Sequence, residues 1–163
     1  VKSSTMGCCC SSSAILMDVT FPVKGTPEDV DKKLRDPNSW ISLIPGTGKK
    51  TAIDISDESF TIATPYLIII HSIKPFSTIE NGHQYCVSLG DKEHPDASFE
   101  VQWTYMKTSS GCDVRRQITN FQAFRRLCIP WTIALRSKCV EENSNLQNMF
   151  SIGDIDGTTT PNV

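Results

Sequence analysis

Residues 21–46 read FPVKGTPEDVDKKLRDPNSWISLIPG, and two changes of local pattern fall inside them. Up to this stretch the odd positions are apolar (Ile15, Met17, Val19, Phe21, Val23), the alternation of a half-buried strand. Thr26-Pro27-Glu28-Asp29 then supplies an N-cap residue, a proline for the first helical position and acids for the first turn. Val30 and Leu34 lie one turn apart on that helix, which Asp36-Pro37 stops. A second short helix carries Trp40, Leu43 and Ile44 before Pro45-Gly46 ends it.

The continuation, IPGTGKKT at residues 44–51, has the look of a phosphate-cradling loop. That motif, G-x-x-x-x-G-K-[ST], needs backbone N–H groups converging between a strand and a helix. With Gly48-Lys49 set on its G-K, position 43 is Leu43 and position 50 is Lys50, so both flanking requirements fail. A helix precedes the segment and an alternating strand pattern follows it. The stretch is a turn rather than a nucleotide site.

Downstream the pattern is of short strands: residues 51–55, 60–64, 66–74, 84–89, 97–106 and 112–121. Ser56-Asp57-Glu58, Glu80-Asn81-Gly82 and Ser109-Ser110-Gly111 supply turns between them. Residues 97–106 alternate cleanly, with Phe99, Val101, Trp103 and Tyr105 on one face. A long helix over residues 124–150 closes the series, carrying Cys128, Trp131, Leu135, Cys139, Leu146 and Met149 at helical spacing, with Glu142 interrupting the stripe. Pro130 marks either a kink or the true first turn of this helix. The expected organisation is a flexible tail at 1–13, one domain at 14–150 and a second flexible tail at 151–163.

Composition narrows the class. A length of 163 residues suits one domain, and 39% hydrophobic with 21% charged residues fits a globular chain. A formal charge of −2 creates no general field for nucleic acid or an anionic membrane, so no nucleic-acid partner is expected. No apolar run approaches the roughly 20 residues of a membrane-spanning helix, so no stable membrane insertion is expected. The seven cysteines include no C-x-x-C pair, which argues against a zinc ribbon or a thioredoxin-like site. The segment DIDG at 154–157 lacks the remaining ligands of a calcium loop. Neither a metal nor a cofactor is expected. MGCCCS at residues 6–11 matches a myristoylation pattern with neighbouring palmitate sites, but that rule requires Met6 to be the initiator. With no secretory h-region in view, the expected localisation is cytoplasmic.

The order strand, two short helices, about six antiparallel strands and one long amphipathic helix resembles the helix-grip fold of the START/Bet v 1-like (SRPBCC) superfamily, over residues 15–150. The stretch 21–46 is similar to the family's opening strand, its P-x-x-V-x-x-x-L-x-D-P helix and its Pro-Gly ending. Within the superfamily, the DP…IPG ending is closest to the carbon monoxide dehydrogenase G-like and polyketide cyclase/dehydrase-like branches. Proteins of the former branch often carry a C-terminal extension or anchor; a short polar stretch follows the helix here, and a role in a dehydrogenase complex is not expected. The resemblance implies an α+β fold, a curved antiparallel sheet of about seven strands wrapped around a long C-terminal helix. It also implies a cavity between the two, suited to an apolar ligand.

Alternation selects the side chains for that cavity: Phe99, Trp103 and Tyr105 on one strand, Tyr85 with Val87 on a neighbour, and Trp131 with Leu135 from the helix. The same spacings also describe an ordinary aromatic core. Arg116 shares parity with Cys112, Val114 and Ile118, and an arginine aimed at an apolar interior needs a partner. It meets a ligand anion or pairs with Glu142; a bulge that flips parity would instead send it to solvent beside Arg115. His71, in phase with Ile69 and Ile73, is a cavity acid/base, a polar anchor or a hydrogen-bonded core histidine. His83 and His94 lie in or beside turns and carry no signal. Cys128 and Cys139, eleven residues apart, are about three turns apart on one helix face, too far to bridge.

The resemblance, taken with these residues, implies three functions. The first is binding of a hydrophobic or amphipathic small molecule, lipid-, polyketide- or quinone-like, by a monomer or dimer without catalysis. The second is a polyketide cyclase/dehydratase-like enzyme in which His71, Tyr85 or Arg116 moves protons. The third is an interaction protein with a filled core.

Overall fold

The structure is a computed structural model and describes residues 15–64, 70–90, 97–119 and 129–151, with backbone alone at 70–75, 89–90, 97 and 129–132. The expected N-terminal tail, residues 152–163 of the expected C-terminal tail and Cys128 lie outside the described residues, while Ser151 still belongs to the last helix.

Strand β1 (Met17–Val23) leads into helices α1 (Pro27–Arg35) and α2 (Pro37–Leu43). Strands β2 (Thr51–Ile53), β3 (Phe60–Ala63), β4 (Ile70–Ile79), β5 (Gly82–Gly90), β6 (Ala97–Thr108) and β7 (Gly111–Thr119) follow. Helix α3 (Ile129–Ser151) ends the series. Among the described residues the strands form one seven-stranded sheet, in the order β1-β7-β6-β5-β4-β3-β2, and every neighbouring pair is antiparallel. The two short helices therefore carry the chain from one edge of the sheet to the other. This is the α+β helix-grip architecture, a curved sheet with its long helix laid on one face.

Local chemistry accounts for the start of this path. The Thr26 hydroxyl accepts the Asp29 N–H at 3.2 Å, and Pro27 occupies the first helical turn where no N–H is missed. Asp36 serves both helices. Its backbone N–H bonds Lys33 O at the end of α1, while its carboxylate accepts the N–H groups of Asn38 and Ser39 at 3.1 Å to begin α2. After α2, Gly46 and Gly48 take positive φ (107° and 124°), and the Lys50 amine donates to the Ile44 carbonyl. The GTGKK segment is thus a link tied down by its own lysine, leading into β2.

Two strand expectations change. The strand expected at 66–74 is described from Ile70 and runs on to Ile79, because β4 absorbs one extra residue: Lys74 pairs with Cys86 and Ser77 with Gln84, so Pro75 and Phe76 together oppose Tyr85. Such a bulge bends the strand and suits a proline, which has no N–H for the ladder. The following hairpin turns on Glu80 and Asn81 alone, with Asn81 at φ 54°, and Gly82 already belongs to β5.

The interior lies between the concave sheet face and the helices. Tyr85, Val87, Phe99, Val101, Trp103, Val114 and Ile118 are buried from the sheet; Val30 and Leu34 from α1, Trp40 and Leu43 from α2, and Leu135, Cys139 and Leu146 from α3 meet them. Pro130 falls in the first turn of α3 as described. The outward face of β1 and β7 is polar, and Arg115 forks onto Asp18 with bonds of 2.8 and 2.7 Å.

Gly82 has no room for a side chain, since a Cβ there would lie 1.9 Å from the Trp103 carbonyl oxygen. Gly82→Ala is expected to force β5 away from β6 and to lower stability by about 1–3 kcal/mol, read as a reduced urea midpoint at unchanged slope.

Candidate functional site

The concave face carries two polar clusters in an otherwise apolar interior. The first centres on Arg116 of β7. Its register is continuous on both sides, opposite Val19 of β1 and Trp103 of β6, so no bulge flips its parity and its side chain points inward. Only 2% of the residue is exposed. Nη2 donates to Glu142 Oε2 at 2.8 Å, and Nη1 donates to Asn143 Oδ1 at 3.0 Å and to the Cys139 carbonyl at 3.2 Å. The guanidinium carbon lies 4.7 Å from the Trp103 ring centroid, a cation–π contact in a dry setting. Nε is buried without a hydrogen-bond partner among the described residues. Burial works against the cation, but Cys139 and Glu142 more than offset it and carry Arg116 above its ordinary value. The Cys139 thiol is pushed up to about 12, mainly by burial.

Beside this cluster is a cavity of about 20 Å³, lined by Trp40, Ile44, Tyr85, Phe99, Arg116 and Leu135 among others. That is room for about one water molecule. Tyr85 forms one wall of the cavity. Its hydroxyl accepts the Trp103 indole N–H at 2.9 Å, and its ring meets Trp40 edge-on at 6.3 Å. Burial raises the Tyr85 phenol well above its usual range, so it is a neutral hydroxyl.

The second cluster joins α1 to the sheet. Asp31 accepts from Arg35 Nε at 2.8 Å, from His83 Nδ1 at 2.8 Å and from the Tyr105 hydroxyl at 3.2 Å. Tyr105 is also 3.0 Å from His83 Nδ1. His83 is fully buried, stacked on Tyr85 and flanked by Phe76, and its Nε2 has no partner among the described residues. Burial favours a protonated Asp31, but the bonds from His83 and Arg35 prevail and hold its carboxyl at about 2. Burial raises Tyr105 beyond the ordinary phenol range, and Asp31 adds to the shift.

The expected site residues therefore divide. Tyr85, Phe99, Arg116 and Leu135 converge on the cavity. Trp103 lies one step away, beneath the guanidinium. Tyr105, also buried, belongs to the other cluster. The His71 backbone pairs with Ile62 and Leu89, and Trp131 belongs to α3, but both side chains lie outside the described residues. His94 also lies outside them. His83 corrects the expectation: it is not a turn residue without consequence but the buried histidine of β5. Carrying the Tyr85, Val87 alternation back by two positions points to it. Asp31 left no comparable signal, since an acid on a charged helix face looks solvated. The described residues contain no group of three or more His, Cys, Asp or Glu placed to hold a metal, and no described helix is long and apolar enough to cross a membrane.

No family model matches the chain, and no curated protein matches it by sequence. Solved structures do match. A protein of Mesorhizobium loti superposes with a TM-score of 0.61 at 14% identity, covering 86% of this chain and 98% of its own. One from Arthrobacter aurescens gives 0.63 at 12%, covering 82% and 84%. DynU16, a protein of the dynemicin biosynthetic locus, gives 0.54 at 14%, covering 84% of this chain and 47% of its own. At these identities the likeness is one of fold alone.

Glu142→Leu is expected to destabilise the protein by about 3–5 kcal/mol, because it leaves the Arg116 cation buried without its counter-charge. The double variant Arg116→Met/Glu142→Leu is expected to recover most of that loss. Urea denaturation of the two single variants and the double, treated as a mutant cycle, measures the coupling.

Proposed function

We propose that the protein binds a small hydrophobic or amphipathic molecule, lipid-, polyketide- or quinone-like, between the concave sheet face and α3. The observation that supports this is the position and lining of the cavity: apolar walls from α2, the sheet and α3 converge on one buried cation that retains an N–H without a partner among the described residues. A site of this kind takes most of its affinity from apolar contact and its orientation from one or two polar groups. Because Glu142 already neutralises Arg116, the open Nε favours a carbonyl or hydroxyl oxygen over a second carboxylate. At about 20 Å³ the cavity admits such a molecule only if α2 or α3 moves outward. The sequence ending DP…IPG supports kinship with the polyketide cyclase/dehydrase-like and carbon monoxide dehydrogenase G-like branches, and the likeness to DynU16 favours a biosynthetic small molecule. Residues 14–150 form the proposed binding domain.

An enzyme of the cyclase/dehydratase kind would use the same walls, with His71, Tyr85 or Arg116 as the proton-handling groups. A third reading, an interaction protein with a filled core, draws on the small size of the cavity.

Native mass spectrometry of the purified protein, followed by denaturing extraction, tests the proposal. One apolar adduct per chain is expected, lost in Leu135→Trp with the far-UV circular dichroism unchanged. A bare mass together with no binding of a medium-chain fatty acid or a naphthoquinone overturns the binding reading and leaves the enzyme and the filled core.

A further inference from the structure

We propose that Asp31, Arg35, His83 and Tyr105 form an acid-released latch that holds α1 against the sheet. The inference goes beyond the ligand reading and does not depend on it.

The argument begins with the two nitrogens of His83. Nδ1 faces the Asp31 carboxylate at 2.8 Å, so the neutral ring carries its proton there and donates it to Asp31. That assignment leaves Nε2 as a bare lone pair, buried and without a partner among the described residues, in a setting of the Phe76, Tyr85 and Tyr105 rings. An unpaired acceptor in such a place costs little compared with an unpaired donor on a cation. Protonation of Nε2 creates that second state.

The neighbouring charges do not rescue the cation. From α1, Asp31 favours it, but Arg35 already bonds the other oxygen of the same carboxylate at 2.8 Å. A protonated His83 would put two cations on one anion. From β6 Tyr105 and from β5 Tyr85 present neutral hydroxyls, and from β4 Phe76 presents an uncharged ring. Burial lowers the His83 value from the ordinary 6.5, against the pull of Asp31. The sign is then fixed. A group depressed on folding binds more protons when exposed, so the closed arrangement is fully stabilised above pH 6.5 and loses that stabilisation as pH falls towards the depressed value.

Relief requires water at Nε2. In this proposal helix α1 is the element that departs and lets water reach the ring, because Asp31 and Arg35 are its contributions to the cluster and Arg35 lies over the Phe76 ring at 5.6 Å. With nine residues, α1 is short enough to open as a local unit. Its release would uncover Phe76 and, behind it, Tyr85, a wall of the cavity.

Nuclear magnetic resonance of the full chain tests the latch through the His83 ring titration and through hydrogen exchange of the α1 amides, each rate normalised to its intrinsic value. The expected result is a His83 titration below 6.5. Protection of α1 should also fall by up to about tenfold per pH unit below 6.5, one proton's worth of linkage, relative to residues 139–146 of α3. In His83→Gln, which has no titrating ring, the α1 protection is expected to lose this pH dependence. A His83 titration at or above 6.5, parallel loss in α1 and α3, or the same loss in His83→Gln overturns the proposal. If His83→Gln does not fold, the wild-type ring titration and the comparison of α1 with α3 decide.

Discussion

A charged group cannot be left alone in a dry interior, and the arrangement around Arg116 follows from that. The strand alternation of β7 turns the guanidinium inward, where desolvation would cost several kcal/mol without partners. Its hydrogen-bond partners among the described residues all come from α3: the Cys139 carbonyl, the Glu142 carboxylate and the Asn143 amide oxygen, spaced so that they fall on one helix face. Apolar contacts alone would tolerate a shift or rotation of the helix, since dispersion and area burial are nearly direction-free. Three directional bonds to a single side chain are not so tolerant. They set both the height and the rotation of α3 over the sheet, and with them the position of Leu135 and the shape of the adjoining cavity.

The same face carries a second fixed point, and Tyr85 stands between the two. It accepts the indole N–H of Trp103, which supports the Arg116 cation, and it stacks on His83, which holds α1 through Asp31. The bulge at Pro75 and Phe76 lies directly opposite Tyr85, so the bend in β4 and the central aromatic group coincide. One polar cluster therefore governs the long helix and the other the first short helix, with a shared ring at their boundary. Each of these helices is held by bonds that water can replace.

Much of the fold was legible in the residues themselves. The Thr26-Pro27 start, the Asp36-Pro37 junction and the alternation of β6 are local signals, and the structure realises each within a few positions. The inward aim of Arg116 was also readable from parity, as was Glu142 as one of its two candidate partners. His83 was passed over because it follows a turn, although the alternation of Tyr85 and Val87 carried back by two positions reaches it. The partner of Tyr105 was not readable either. Asp31 lies 74 residues away in the chain, on a helix whose charged positions 28, 29, 32 and 33 are exposed.

The sequence by itself determined the element types, their order and which side chains share a face, because periodicity, capping and turn chemistry act over a few residues. It also determined that an arginine and a glutamate would be carried on apolar stripes and would need partners. Which faces meet was left to the tertiary structure. The crossing of α1 and α2 from one sheet edge to the other, the one-residue bulge in β4 and the pinning of α3 decide that Arg116 and Tyr85 share a cavity while Tyr105 and His83 share a carboxylate. Those outcomes depend on registers between segments far apart in the chain, where a shift of one residue turns every side chain to the other face.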